Sequence, residues 1–321
     1  MGEITVRIFF PQDTPVKWFE RNERYGKFHK KNYKQNFYNK KTNFIMEVKT
    51  NSLGLRDREY DLSDPLAKKI LLLGDSFTFG WGLNVESIFA TKLEFLLNNS
   101  EKKYFVINAG VADWGTIQEV TYARDHFTTF NPDFIVLTFC GNDLWDNNRF
   151  KEQLENNFQG ILYFPGKAFL RKYSHLFRFI RDKWWVLSEN ISVKKTIKRS
   201  KENNQQVHFD EQTAYVLKEE DWNETLKLIR DFHKDFIDFN PGGILLIQAT
   251  APWSENIRSH LSAMSNGKNL IYVDLFEDTL NLLKHERRLE YDGHWSEEMH
   301  TIAARKLYAN IKEIENGFFN K

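Results

Sequence analysis

Two short stretches hold residue types that could do chemistry together. The first is "KILLLGDSFTFGWG", residues 69–82, in which Ser76 follows an apolar run that stops at Gly74-Asp75. The second is "EYDGHWSEEMH", residues 290–300, in which a single glycine separates Asp292 from His294. A serine at a strand end becomes a nucleophile when a base takes its proton and donors hold the developing oxyanion. Residues two apart in an extended segment point the same way. Asp292 can therefore hold one ring nitrogen of His294 and leave the other for Ser76, an order of orienter, base and nucleophile. Ser76 also fits a turn or helix-starting serine, positions that serine favours. The Gly-x-Ser-x-Gly elbow is excluded, because Thr78 stands where its second glycine would be. A phosphate loop is a poor reading, because the Gly-Lys-Ser/Thr end is missing.

Such residues need elements to position them. Residues 1–66 are polar and aromatic and read as an irregular or β-rich extension, with "DLSDP" (61–65) leading into the main domain at 67–321. "KKILLLGD" is a continuous apolar run, the mark of a strand covered on both faces. "YFVINAG" (104–110), "FIVLTFCGND" (134–143), "GILLIQAT" (243–250) and "NLIYVDL" (269–275) read as further strands. Apolar residues at helical spacing alternate with them: Val85 to Leu97, Ile117 to Phe130, Trp222 to Phe236, and a last helix of about 296–315 begun by Ser296 as N-cap. Alternation of this kind predicts right-handed βαβ units and a parallel sheet, with ligands bound beyond the carboxyl ends of the strands. Those ends read Gly74-Asp75-Ser76, Asn108-Ala109-Gly110 and Gly141-Asn142-Asp143, all small or polar. Residues 145–215 read as an insertion, with the basic aromatic stretch "KAFLRKYSHLFRFIRDKWW" as an amphipathic helix.

With these blocks in view, the chain resembles the SGNH (GDSL-type) hydrolase superfamily over about residues 51–315. "GDSFTFG", "NAG", "GND" and "DGH" occur in the superfamily's order, and "NSLGLRDREY" resembles the lead-in segment of a bacterial branch. The resemblance implies a flavodoxin-like, three-layer α/β/α fold on a five-stranded parallel sheet. It implies Ser76 as nucleophile, His294 as base and Asp292 as orienter. It also implies an oxyanion hole from the N–H groups of Ser76 and Gly110 and the side-chain amide of Asn142. The last block departs from the more frequent Asp-x-x-His by one residue. The implied activity is hydrolysis of an ester. A glycan O-acetyltransferase or deacetylase with the same residues stays open, as does an inactive binding module.

Other residues read more plainly. Asp75 and Asp143 are expected to bond nearby backbone or to cap, and His300 to lie on a helix surface or cap it. Gly110 fits both a donor and a strand-ending glycine, and Cys140 fits core packing. Zinc catalysis takes three protein ligands, and no other His, Asp or Cys cluster stands near Asp292-Gly293-His294, so no metal and no cofactor is expected.

Composition bounds the rest. The 321 residues carry 45 Lys+Arg against 44 Asp+Glu, and a net charge of +1 offers nucleic acid no global attraction. The expected partner is a small-molecule or glycan ester. One cysteine excludes an internal disulfide and fits a reducing compartment. No apolar run approaches the roughly 18 residues of a membrane span, and no signal peptide is visible. The expectation is a cytoplasmic protein, with export after signal removal as the alternative.

Overall fold

The computed structural model describes residues 2–10, 12, 15–39, 44–99, 102–155, much of 166–187, 208–210, 213–215, 219–289 and 293–317. Strands β1 (Phe19–Asn22), β2 (Gly26–His29), β3 (Lys34–Asn39) and β4 (Phe44–Lys49) belong to the amino-terminal extension, where β1 pairs with β2 and β3 with β4, both antiparallel. The extension is β-rich, as its sequence predicts, and also carries a helix at Gly2–Phe9.

The central sheet consists of β5 (Ala67–Gly74), β6 (Lys103–Asn108), β7 (Phe134–Phe139), β10 (Ile244–Ala249) and β11 (Leu270–Tyr272). Its order is β11-β10-β7-β5-β6, and every pairing is parallel. Renumbered within the sheet this is 2-1-3-4-5, the flavodoxin-like order expected. Short strands β8 (His208–Asp210) and β9 (Thr213–Tyr215) pair apart from it.

The apolar run of β5 explains the layers. Alternate side chains of a strand point to opposite faces. Leu71 and Leu73 enter one core with the helices Thr116–Phe130 and Glu219–Phe239. Ile70 and Leu72 enter the other with Phe89–Leu97 and Glu297–Glu315. All four side chains are fully buried, each contributing about 1.5–3 kcal/mol by transfer from water. The helix Asp143–Glu155 directly follows β7 and buries Leu144 and Phe150, so residues 145–155 are built into the main domain. Most of 156–218 lies outside the described residues.

A third cluster joins the extension to the main domain. Trp18, Phe37, Met46 and Val48 pack on Phe79, the last residue of the short helix Ser76–Phe79. Arg56 reinforces the joint. Its guanidinium is buried and donates to the carbonyls of Phe79, Gly80, Glu47 and Leu83 at 2.7–2.9 Å. Next to it, Asp57 accepts from the N–H of Asn108 at the end of β6 and from the Tyr60 hydroxyl. Asn51 shapes the lead-in, its side-chain oxygen accepting from the N–H groups of Leu53 and Leu55. The segment "NSLGLRDREY" therefore braces the turn after β5 and the end of β6 where they meet the site.

Candidate active site

The site forms where β5, β6 and β7 end. The connections leaving the neighbouring strands β5 and β7 run in opposite directions, so a crevice opens beyond the carboxyl ends. Gly74, with φ 154, turns the chain out of the sheet; a Cβ there would lie 2.1 Å from Thr78 Oγ1. Asp75 caps the helix that follows by accepting from the Phe77 N–H at 2.9 Å, the structural role expected of it. Ser76 is thus the first residue of the helix, and it is half-buried.

His294 arrives from the far end of the chain. Its carbonyl accepts from the Leu289 N–H at 2.8 Å, and Arg288 bridges to Trp295, whose indole donates to the Thr250 carbonyl beyond β10. Ser296 then caps the helix Glu297–Glu315, as the sequence predicts. The result is a 2.8 Å contact between His294 Nε2 and Ser76 Oγ. With the ring proton on Nδ1, the serine hydroxyl donates to Nε2. Phe77 and Trp81 pack against the imidazole with ring centroids 5.0 and 6.1 Å away. Asp292, the third expected member, lies outside the described residues.

The expected oxyanion donors are engaged to different degrees. The first N–H groups of a helix have no partner within it, and Ser76 supplies one. The Asn142 amide donates to Asp146 Oδ2 at 2.8 Å and, at a long 3.4 Å, to Asp75 Oδ2. The Gly110 N–H donates to Asn108 Oδ1 at 3.0 Å. Gly110 also has a packing reason to be glycine, since a Cβ would sit 2.3 Å from the Phe79 nitrogen.

Below these groups is an acidic floor. Burial pushes the Asp75 carboxyl up to about 6, against the pull of the Phe77 N–H, the His294 ring and the Asn142 amide. Burial also pushes Asp146 up to about 7, opposed by Arg149. Glu119 and Asp143 lie well above the usual carboxylate range through burial and their acidic neighbours. Asp143 accepts from the Cys140 N–H and the Thr116 hydroxyl, so it ties β7 to the helix Thr116–Phe130 rather than capping its own helix.

His300 departs from its expected place. It is buried, and its Nδ1 accepts from the Phe89 N–H at 3.1 Å. The cause is that Phe89–Leu97 lies against the helix that carries it, so His300 faces a neighbour instead of water. Burial lowers its pKa to about 3, with Lys92 adding to the effect.

Sequence reading missed Asp146, Trp81, Leu289 and Arg56. Only Asp146 left a signal: it stands four residues after Asn142 on one helix, the spacing at which side chains meet. Among the described residues no three His, Cys, Asp or Glu gather as metal ligands, and no helix is long and apolar enough to cross a membrane.

The GDSL-like Lipase/Acylhydrolase family model matches residues 72–302, a span that includes both Ser76 and His294. The chain belongs to this family. It is an ester-bond hydrolase on that ground. No curated protein sequence matches it. Among solved structures it is similar to a family 3 carbohydrate esterase of Clostridium thermocellum, at 16% identity and TM-score 0.45, covering 78% of this chain and 98% of that one. It is also similar to the psychrotrophic esterase EstA of a Pseudoalteromonas species, at 12% identity and TM-score 0.45, with coverage of 78% and 99%. A lipase/acylhydrolase of Enterococcus faecalis gives 13% identity, TM-score 0.42, and coverage of 76% and 95%.

Proposed function

We propose that this member of the family is a serine esterase working through Ser76, His294 and Asp292. His294 Nε2 takes the hydroxyl proton as Ser76 Oγ attacks the ester carbonyl carbon. The carbonyl π electrons move to oxygen, and the Ser76 N–H and the Asn142 amide hold the oxyanion. Gly110 joins them only by exchanging Asn108 for the substrate oxygen. Collapse expels the alcohol, which takes the proton from His294. Water then attacks the acyl-serine, gives its proton to His294, and the acid leaves as the proton returns to Ser76. Asp292 keeps the ring proton on Nδ1 throughout.

The observation that supports this reading is the 2.8 Å contact between Ser76 and His294, 218 residues apart in the chain. A fluorophosphonate probe, followed by peptide mapping, tests it. The expected result is one adduct, on Ser76; folded protein without that adduct sinks the reading and favours a binding module.

Asp146 leads to a second prediction. It takes one N–H of Asn142, and the long 3.4 Å contact with Asp75 is easily given up for the reacting carbonyl. Asn142→Ala is expected to lower kcat by roughly 10²–10³ while KM changes little, the loss of one oxyanion donor. Steady-state kinetics with an aryl acetate measures this, and a kcat within threefold of wild type would remove Asn142 from the mechanism.

A glycan ester is the second reading, favoured by a polar cavity of about 280 Å³ lined by Tyr25, Lys27, Asp113, Gln118, Asp146 and Arg149. Such a lining suits a polyhydroxylated alcohol, and Asp146 connects it to Asn142. Comparing acetyl release to water with acetyl transfer to added sugars separates hydrolase from transferase.

A further inference from the structure

A second cavity is walled in part by residues bonded to the backbone of Ser76 and His294, and its chemistry is different. It measures about 210 Å³ and is lined by Phe37, Phe44, Met46, Trp81, Leu83 and Leu289, with Asn39 at its edge. Three distant parts of the chain build it: the β3–β4 hairpin, the turn after the nucleophile helix, and the segment before His294. Two of its walls are bonded to the site itself. The Trp81 N–H donates to the Ser76 carbonyl at 2.9 Å, and the Leu289 N–H donates to the His294 carbonyl at 2.8 Å. Gly82 shapes the wall between them: its φ is 82, and a Cβ there would lie 2.3 Å from Leu289 Cδ1.

A cavity with this lining gains most from hydrocarbon. Its walls belong to the same backbone that holds Ser76 and His294, so the hydrocarbon nearest to hand is part of the ester being cleaved. We propose that this cavity binds an alkyl chain of the substrate, so that the amino-terminal hairpin sets chain-length preference. The inference rests on the esterase reading above and adds its specificity.

The test pairs turnover with binding. One series of substrates lengthens the acyl chain, from 4-nitrophenyl acetate to the octanoate; the other lengthens the alcohol, from methyl to hexyl acetate. In one series kcat/KM is expected to rise about fourfold per added methylene until the cavity is full, and the series that rises identifies the side of the ester that enters. Asn39→Trp, at the half-buried rim, is expected to cut that gain at six carbons at least tenfold. Phe44→Ala, which strips a wall without adding bulk, repeats the test should the first variant fail to fold. Calorimetric titration with sodium octanoate is expected to show saturable binding to the wild type, weakened at least tenfold in either variant. Flat profiles in both series, or octanoate binding unchanged in folded variants, overturn the inference. Octanoate binding that the variants weaken, in a protein that turns over no ester, upholds the cavity and overturns the esterase reading instead.

Discussion

Ser76→Ala is expected to lower kcat for an aryl ester by roughly 10⁴–10⁶, the scale seen when a nucleophile acting in a unit with its base is removed. The fold should barely notice. Ser76 is half-buried at the start of its helix, and its hydroxyl contacts His294 Nε2. A change at such a position usually stays within about 0.5 kcal/mol, so the melting temperature should move little. His294→Ala should cost nearly as much in rate, and the double variant little more than either alone, because the two side chains act on one proton. Stopped assays on the three variants, each paired with a thermal melt, check this. A Ser76→Ala protein within tenfold of wild type, or losses that simply multiply, would show that the pair is not the catalytic unit.

Arg56→Met carries the largest expected effect on stability. Among the described residues no carboxylate pairs with the arginine; four backbone carbonyls, those of Phe79, Gly80, Glu47 and Leu83, take its charge. Burial lowers its pKa to about 10, which still leaves it protonated at neutral pH. Its charge also lies over the Phe79 ring, 4.8 Å from the centroid. Methionine keeps the length and the packing but leaves those carbonyls without their donor. Each unsatisfied buried group costs about 1–3 kcal/mol. Partial compensation by relaxation makes a net loss of about 3–5 kcal/mol the expected result, a large part of an ordinary domain's 5–15 kcal/mol. Urea titration measures it, and a loss below about 1 kcal/mol would mean that Arg56 does not hold the extension to the nucleophile turn.

The sheet was legible because a strand buried on both faces cannot hide: β5, β7 and β10 carry the apolar runs Ile70–Leu73, Phe134–Leu137 and Ile244–Ile247. Ser76 stood out because it follows such an end, and His294 because it closes the Asp-Gly-His block. What escaped the sequence was everything set by contacts between distant elements. An arginine in a polar, irregular segment reads as solvated, and nothing local says that four carbonyls converge on Arg56. His300 reads as a surface residue until Phe89 is brought against it. The role of "FTFGWG" divided the same way: Phe77 packs against His294 and Trp295, Phe79 anchors the extension, and Trp81 walls a cavity.

The separation of Ser76 and His294 by 218 residues bears on how the protein is made. A ribosome adding about 5–20 residues per second needs roughly 10–40 s to travel from the serine to the histidine. During that interval the nucleophile turn, β6 and β7 can form, yet Ser76 has no base. The last strand of the sheet, Leu270–Tyr272, and the helix Glu297–Glu315 that positions His294 also emerge late. On the proposed mechanism a nascent chain stays chemically silent toward esters until its carboxyl-terminal helix docks, and the hydroxyl acquires its partner in the same step that closes the second core.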